Sequence, residues 1–277
     1  MIAAISIALY GLVVRAILRF FRYCSYAATG LAAFLLVAEP ARAQITVAGS
    51  FIQERAAKPG ELYRSSVTIR NDAEAPAEVV FSLRDIYTTA DGSFAFGPAA
   101  SGARSNCRWI QLSAERGVVP AKSSAAVDIV VRVPPDAGKG TFWGCVVIAE
   151  APRALPGAEG VGVNVVTEYV VQVVTHVGEP RRTLELGAAL FKDGKVLLEV
   201  SNPGDFSVRP KLWVEVRDEA GELVGRYLGE ERTVYPGNAT RFEADLSKLG
   251  PGSYHGRAFL DAGRRGELWR KDFSFSR

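Results

Sequence analysis

The sequence predicts an all-β protein, and three observations carry that prediction. From Gln44 to the C-terminus no 3.6-residue apolar stripe recurs, whereas apolar and polar residues alternate with period two about every ten or fifteen residues. Turn signals punctuate the alternation, at Lys58-Pro59-Gly60, Asn71-Asp72, Asp91-Gly92, Pro120, Pro134-Pro135 and Leu155-Pro156-Gly157, then at Asp193-Gly194, Asn202-Pro203-Gly204, Ala220-Gly221, Pro236-Gly237 and Pro251-Gly252. Composition agrees: 48% hydrophobic and 23% charged residues, with 14 Pro and 27 Gly, exclude a disordered chain, collagen and a polytopic membrane protein.

The first 43 residues read as a secretory signal peptide. Arg15, Arg19 and Arg22 precede the apolar run Ala27 to Ala38, and Ala41-Arg42-Ala43 supplies the small residues of a cleavage site between Ala43 and Gln44. The run is too short for a full span of ~20 residues, so an uncleaved anchor is the weaker reading and the membrane is met only during export. The apolar stretch Ile2 to Val14 ahead of the arginines has no role in such a signal; a true start at Val13 or Val14 accounts for it. Arg15, Arg19, Arg22 and Arg42 against Glu39 also hold the whole net charge of +3. The remainder is neutral, which removes the usual electrostatic argument for a nucleic-acid partner.

Seven strands are expected in the first half, at 46–56, 62–71, 77–88, 107–113, 125–133, 141–149 and 163–177. Seven more are expected near 183–191, 195–202, 209–217, 223–229, 239–246, 252–261 and 266–276. Seven strands in about 100 residues is the size of an immunoglobulin-like sandwich. The expected organisation is a signal peptide (1–43), two such domains (44–177 and 183–277) and a short linker (178–182). The halves share a grammar: Ser66 to Asn71 answers to Leu197 to Asn202, Val119-Pro120 to Val234-Tyr235-Pro236, and Gly140-Thr141-Phe142 to Gly252-Ser253-Tyr254. Leu249 to Tyr254 reads as a tyrosine corner, which Phe142 cannot reproduce for lack of a hydroxyl.

Export places Cys107 and Cys145, the two cysteines after the signal, in an oxidising compartment. A disulfide between them is expected; closing a loop of about 39 residues, it contributes roughly 3 to 4 kcal/mol in the chain-entropy model. Two buried thiols packing as small apolar groups are the other reading. No nucleophile elbow, metal-spaced His or Cys cluster or phosphate-cradling loop occurs, so neither catalysis, metal nor cofactor is expected. Glu54, Asp85, Asp91 and Asp136 sit where strand ends and turns ordinarily take acids, and His176 and His255 each stand alone.

Residues 163–177 stand apart, because strands usually stop near five or six residues. The odd-numbered face suits a core. The even-numbered face interleaves Val166, Val170 and Val174, about 13 Å apart in successive pairs at ~3.3 Å per residue, with polar groups including Gln172. At a sheet edge this row is a template for an incoming strand; buried on both sides, it is a central strand extended by the domain junction.

An exported pair of sandwiches whose first ends in a long alternating strand resembles the periplasmic pilus-assembly chaperones. That resemblance implies capture of a pilus or envelope subunit by strand addition, with Arg55, in Arg55 to Gly60, matching the arginine that holds a subunit's C-terminal carboxylate. The family's partner lysine has no counterpart, its place being taken by Gln172 or His176, so Arg55 pairs either a partner carboxylate or an internal acid. Residues 59–149, through Asp85 to Ser93, Trp109 to Leu112 and Gly140 to Gly144, are also similar to WxL-interacting envelope proteins. The expected function is that of a non-enzymatic periplasmic chaperone binding through Arg55, Val166, Val170, Gln172 and Val174. The alternative is an adhesion or scaffold module that contacts cell-wall glycan or a surface protein through loops 89–106 and 150–162.

Overall fold

The computed structural model describes residues 45–89, 91–151, 167–263 and 267–277. The signal segment with its cleavage site, Val166 and most of loop 150–162 lie outside the described residues. The described chain is all-β, with a single 3-10 turn at Cys107–Trp109 in place of the first residues of an expected strand.

Strands β1 (Ile45–Ala48) and β2 (Ile52–Ala57) replace one expected strand, because the chain breaks at Gly49, whose φ of +102° turns it from one layer to the other. There follow β3 (Leu62–Asn71), β4 (Ala77–Thr88), β5 (Phe94–Pro98), β6 (Ile110–Leu112), β7 (Arg116–Val119), β8 (Ser123–Arg132), β9 (Gly140–Glu150) and β10 (Glu168–Val177). One sheet runs β1-β3-β8-β6 and the facing one β2-β10-β9-β4-β5, with β7 added beside β4. Setting β7 aside, this is the immunoglobulin division of strands, with the first strand split between the sheets. Alternate residues of both sheets meet in one core, including Val67, Ile69, Val79, Phe81, Ile129, Val146, Ile148, Val171 and Val173. Strands β5 and β7 escape the sequence pattern because they are short and mostly exposed.

The second sandwich comprises β11 (Glu185–Lys192), β12 (Lys195–Ser201), β13 (Lys211–Arg217), β14 (Leu223–Glu231), β15 (Ala239–Asp245), β16 (Ser253–Asp261) and β17 (Leu268–Ser276). Their order is β11-β12-β15-β14-β13-β16-β17. Strands β14 and β15 pair only at Gly229 and Ala244, so the sheet folds back on itself around Leu198, Leu212, Val214, Phe242, Leu246 and Leu260. Tyr254 Oη donates to the Gly250 carbonyl at 3.1 Å, the tyrosine corner read from the sequence.

The shared grammar has a structural cause. Asn71 Nδ2 donates to the carbonyls of Ala75, Val119 and Pro120, and Asn202 Nδ2 to those of Phe206 and Val234. Each Oδ1 accepts an amide two residues on, from Ala73 or Gly204. A buried asparagine thus clips the same two chain segments together in each sandwich, satisfying backbone groups that a turn leaves over.

Candidate functional site: an open strand edge beside a charged cleft

Strand β10 pairs antiparallel with β9 along its whole length, but parallel with β2 only from Gln172 to Val177. Glu168 to Val171 have no pairing strand on that side among the described residues. The Gln172 amide donates to the Phe51 carbonyl at 2.8 Å. Even-numbered residues therefore turn their backbone groups toward β2, and Val170 and Glu168 continue that alternation on a side where no strand of the described residues pairs. Among the described residues β10 thus has a half-finished edge, beside the point where β1 leaves for the other sheet.

Side chains sort the same way. Val171, Val173 and Val177 enter the core, and Thr175 Oγ1 shares a 2.7 Å hydrogen bond with Tyr63 Oη. On the opposite face Val170, half-buried, packs with Ile86, Cys145, Val147 and Trp143. Gln172 and Val174, expected on the same wet row, are 8% and 2% exposed. The second sandwich accounts for this: Tyr235 Oη donates to Gln172 Oε1 at 2.8 Å, and Val174 lines a cleft with Tyr235. Within β10, Gln172 to Val177 are central and covered, whereas Glu168 to Val171 have no pairing strand on the β2 side among the described residues; 163–166 of the expected strand lie outside the described residues.

Contacts across the junction fix the cleft. The Thr141 amide donates to the Asp205 carbonyl and the Ser207 amide to Thr141 Oγ1, both at 2.8 Å. Trp143 stacks on Tyr235 with ring centroids 4.5 Å apart, and Arg104 pairs with Asp205. Gly140, at φ +133°, is required here, because a Cβ would lie 2.6 Å from the Asp205 carbonyl oxygen. Trp143 and Trp109, the latter against Phe142, are packing residues.

The cleft, a cavity of about 170 Å³, is lined by Ile52, Glu54, Val174, Arg182, Arg209 and Glu267 among others. His176 bridges Glu54 Oε1 (2.5 Å) and Thr141 Oγ1 (2.8 Å). The hydrogen bond from His176 holds the Glu54 carboxyl below its ordinary range, against the burial that opposes ionisation. Arg182 pairs with Glu267 at 3.4 Å and Arg209 with Glu231 at 2.7 Å. Arg55 is absent from this lining. It pairs with Glu61 at 3.5 Å and lies over the Tyr63 ring, the internal-acid alternative of the sequence reading. Arg182 and Arg209 were missed because they stand just before β11 and just before β13, where an arginine carries no pattern.

Cys107 and Cys145 are free thiols in this structure, not the expected disulfide. Both donate to the Arg84 carbonyl, at 3.4 and 3.2 Å, and Cys107 also to Asp85 Oδ1 at 3.1 Å. Burial pushes both thiols up, Cys145 to about 12. Among the described residues no cluster of three or more His, Cys, Asp or Glu could hold a metal ion.

No family model and no curated protein matches this chain. Among solved structures, the chain is similar to the class 5 fimbriae chaperone CfaA, at 11% identity over 82% of this chain and 98% of that one, with a TM-score of 0.48. It is similar to the E. coli chaperone DraB, at 12% identity over 83% and 98%, with a TM-score of 0.44. A chain from the complex of the Salmonella enterica SafA pilin with the SafB chaperone matches at 15% identity over 83% and 96%, with a TM-score of 0.42.

Proposed function

We propose that this protein is an exported, non-enzymatic chaperone that captures an extended segment of a partner polypeptide by strand addition along Glu168 to Val171. The observation that carries the reading is the half-paired edge of β10. Main-chain groups of the incoming strand bond those of Val170 and Glu168, giving affinity largely independent of partner sequence. Its side chains on the outer face meet Val170 and the apolar group around it. Gln172 and Val174 serve by seating β10 against the second sandwich. Arg55, held by Glu61, steadies β2. The two sandwiches act as two domains joined at 178–182, and the partner class is a β-rich pilus or envelope subunit in the periplasm.

The test is a pull-down from an envelope extract with the purified protein beside Val170→Glu, the co-eluting proteins being identified by mass spectrometry. A single small β-rich partner lost in the variant is expected. A partner, or glycan fragments, retained equally by both proteins would move the site away from the edge, toward loops 89–106.

A further inference from the structure

Segment 100–107 has little regular structure of its own: one bridge between Ser105 and Trp143 and the 3-10 turn that ends it. Ala100 takes a φ of +63°, uncommon for a residue with a Cβ. The cause lies beneath it. Asp85, 3% exposed near the end of β4, accepts from the amides of Ala100 (3.2 Å), Ser101 (2.7 Å) and Gly102 (2.7 Å). It also accepts from the hydroxyls of Ser101 (3.1 Å) and Ser105 (2.5 Å) and from the Cys107 thiol (3.1 Å). Three successive amides converging on one anion make a nest, and the left-handed Ala100 is what turns them to one side.

Among the described residues, these donors are what compensates the charge on Asp85. Among the described residues Asp85 makes no ion pair: Arg84 reaches Glu168, and Arg104 reaches Asp205. Its remaining titratable neighbours are Cys107, Cys145 and, through Ser101 Oγ, Tyr87. Burial opposes ionisation, yet hydrogen bonds from Ser105, Gly102, Cys107 and Ser101 outweigh it and hold the carboxyl below its ordinary range.

The segment so held reaches the junction. Arg104 pairs with Asp205, its carbonyl accepts from the Trp143 amide at 3.0 Å, and Trp143 stacks on Tyr235. Asn106, fully buried, donates to the Val173 carbonyl at 3.0 Å. We infer that Asp85 is an anionic latch: its carboxylate holds segment 100–107 in place and, through Arg104 and Trp143, ties the order of that segment to the contact between the two sandwiches.

Amide hydrogen exchange on the purified protein tests this. In Asp85→Asn, which keeps the shape and removes the charge, Ser101 and Gly102 should exchange roughly tenfold faster or more, since hydrogen bonds to a charged acceptor are lost. The Thr141 and Ser207 amides, which bond across the junction, should quicken with them. In Asp85→Ala, added formate should restore slow exchange by entering the same nest. Unchanged exchange at Ser101 and Gly102 in Asp85→Asn would overturn the latch, and quickening confined to those two amides would overturn the coupling. Should neither variant fold, acid titration of the unmodified protein decides. Protection of Ser101 and Gly102, corrected for intrinsic rates, should persist through the pH range where exposed carboxyls protonate and fall only below it; loss within that range contradicts the latch.

Discussion

Each sandwich ends on a strand with an open side, and the two could hardly be less alike in sequence. Strand β17 pairs with β16 throughout and with no other strand among the described residues. Yet Arg270, Lys271 and Asp272 sit in its middle, and none of its residues is buried. Strand β10 is open over only four residues, which carry Glu168 as their one charge and Tyr169, Val170 and Val171 beside it. Exposed edges invite pairing unless charge or distortion blunts them. An unpaired edge is therefore not a site in itself; β17 carries the protection and β10 omits it. The omission lies beside the cleft, where the second sandwich keeps the rest of β10 covered.

The largest effect should follow from removing a main-chain donor of the stretch that no described strand pairs on the β2 side. Val170→Pro deletes an amide that no internal ladder uses, a position where an edge strand tolerates proline. Partner capture should fall below detection in a pull-down while thermal unfolding moves little. Loss of capture through global unfolding, seen in the same melt, would instead place Val170 in the scaffold.

Next come the paired asparagines. Asn71→Ala removes the donor to three carbonyls, of which that of Val119 is buried, and Asn202→Ala the donor to two buried ones; each should cost about 3 kcal/mol in urea unfolding. Near-equal losses would extend the equivalence of the two sandwiches from geometry to energetics; a large loss at one position alone would break it.

Acid should weaken both sandwiches, since Glu230, Asp245 and Asp272 of the second, like Asp85 and Glu54 of the first, are carboxyls held below their ordinary range. Asp85 and Glu54 have folded-state pKa values below their ordinary ones, so their stabilisation is full above the unfolded pKa and is lost as pH falls through the folded one. Stability against pH should therefore decline below the usual carboxylate range, and Asp85→Asn should flatten that decline. A smaller change, about 1 kcal/mol, is expected for Tyr235→Phe, which leaves Gln172 Oε1 without its donor. Removing the protection of β17, as in Arg270→Val with Asp272→Val, should yield weak self-association by light scattering and no gain in partner capture.

Much of this architecture was legible in the sequence because its signals are local. Period-two alternation and turn residues placed most strands, and the repeat of Asn71 as Asn202 and Val119 as Val234 marked the doubled sandwich. The split of residues 46–56 between two sheets was not legible, since Ile45 to Ala57 alternates much as one strand would and only Gly49 hints at the break. That split leaves Glu168 to Val171 without a pairing strand on one side among the described residues, so residues 163–177 could be recognised as unusual without showing which of them were unpaired. Gln172 and Val174 read as wet because their cover, Tyr235, is more than sixty positions away in the chain. The latch under Ala100 was similarly hidden: an aspartate near a strand end is ordinary until its six donors are brought together.

The central claim is that partner and protein share main-chain hydrogen bonds at β10, and the exchange rate of the Val170 amide measures this directly. Bound to its co-purified partner, the protein should show the Val170 and Glu168 amides slowed by at least about a hundredfold, as expected for amides newly taken into a ladder, with the amides of β17 unchanged. A stable complex in which Val170 exchanges as fast as in the free protein would contradict strand addition.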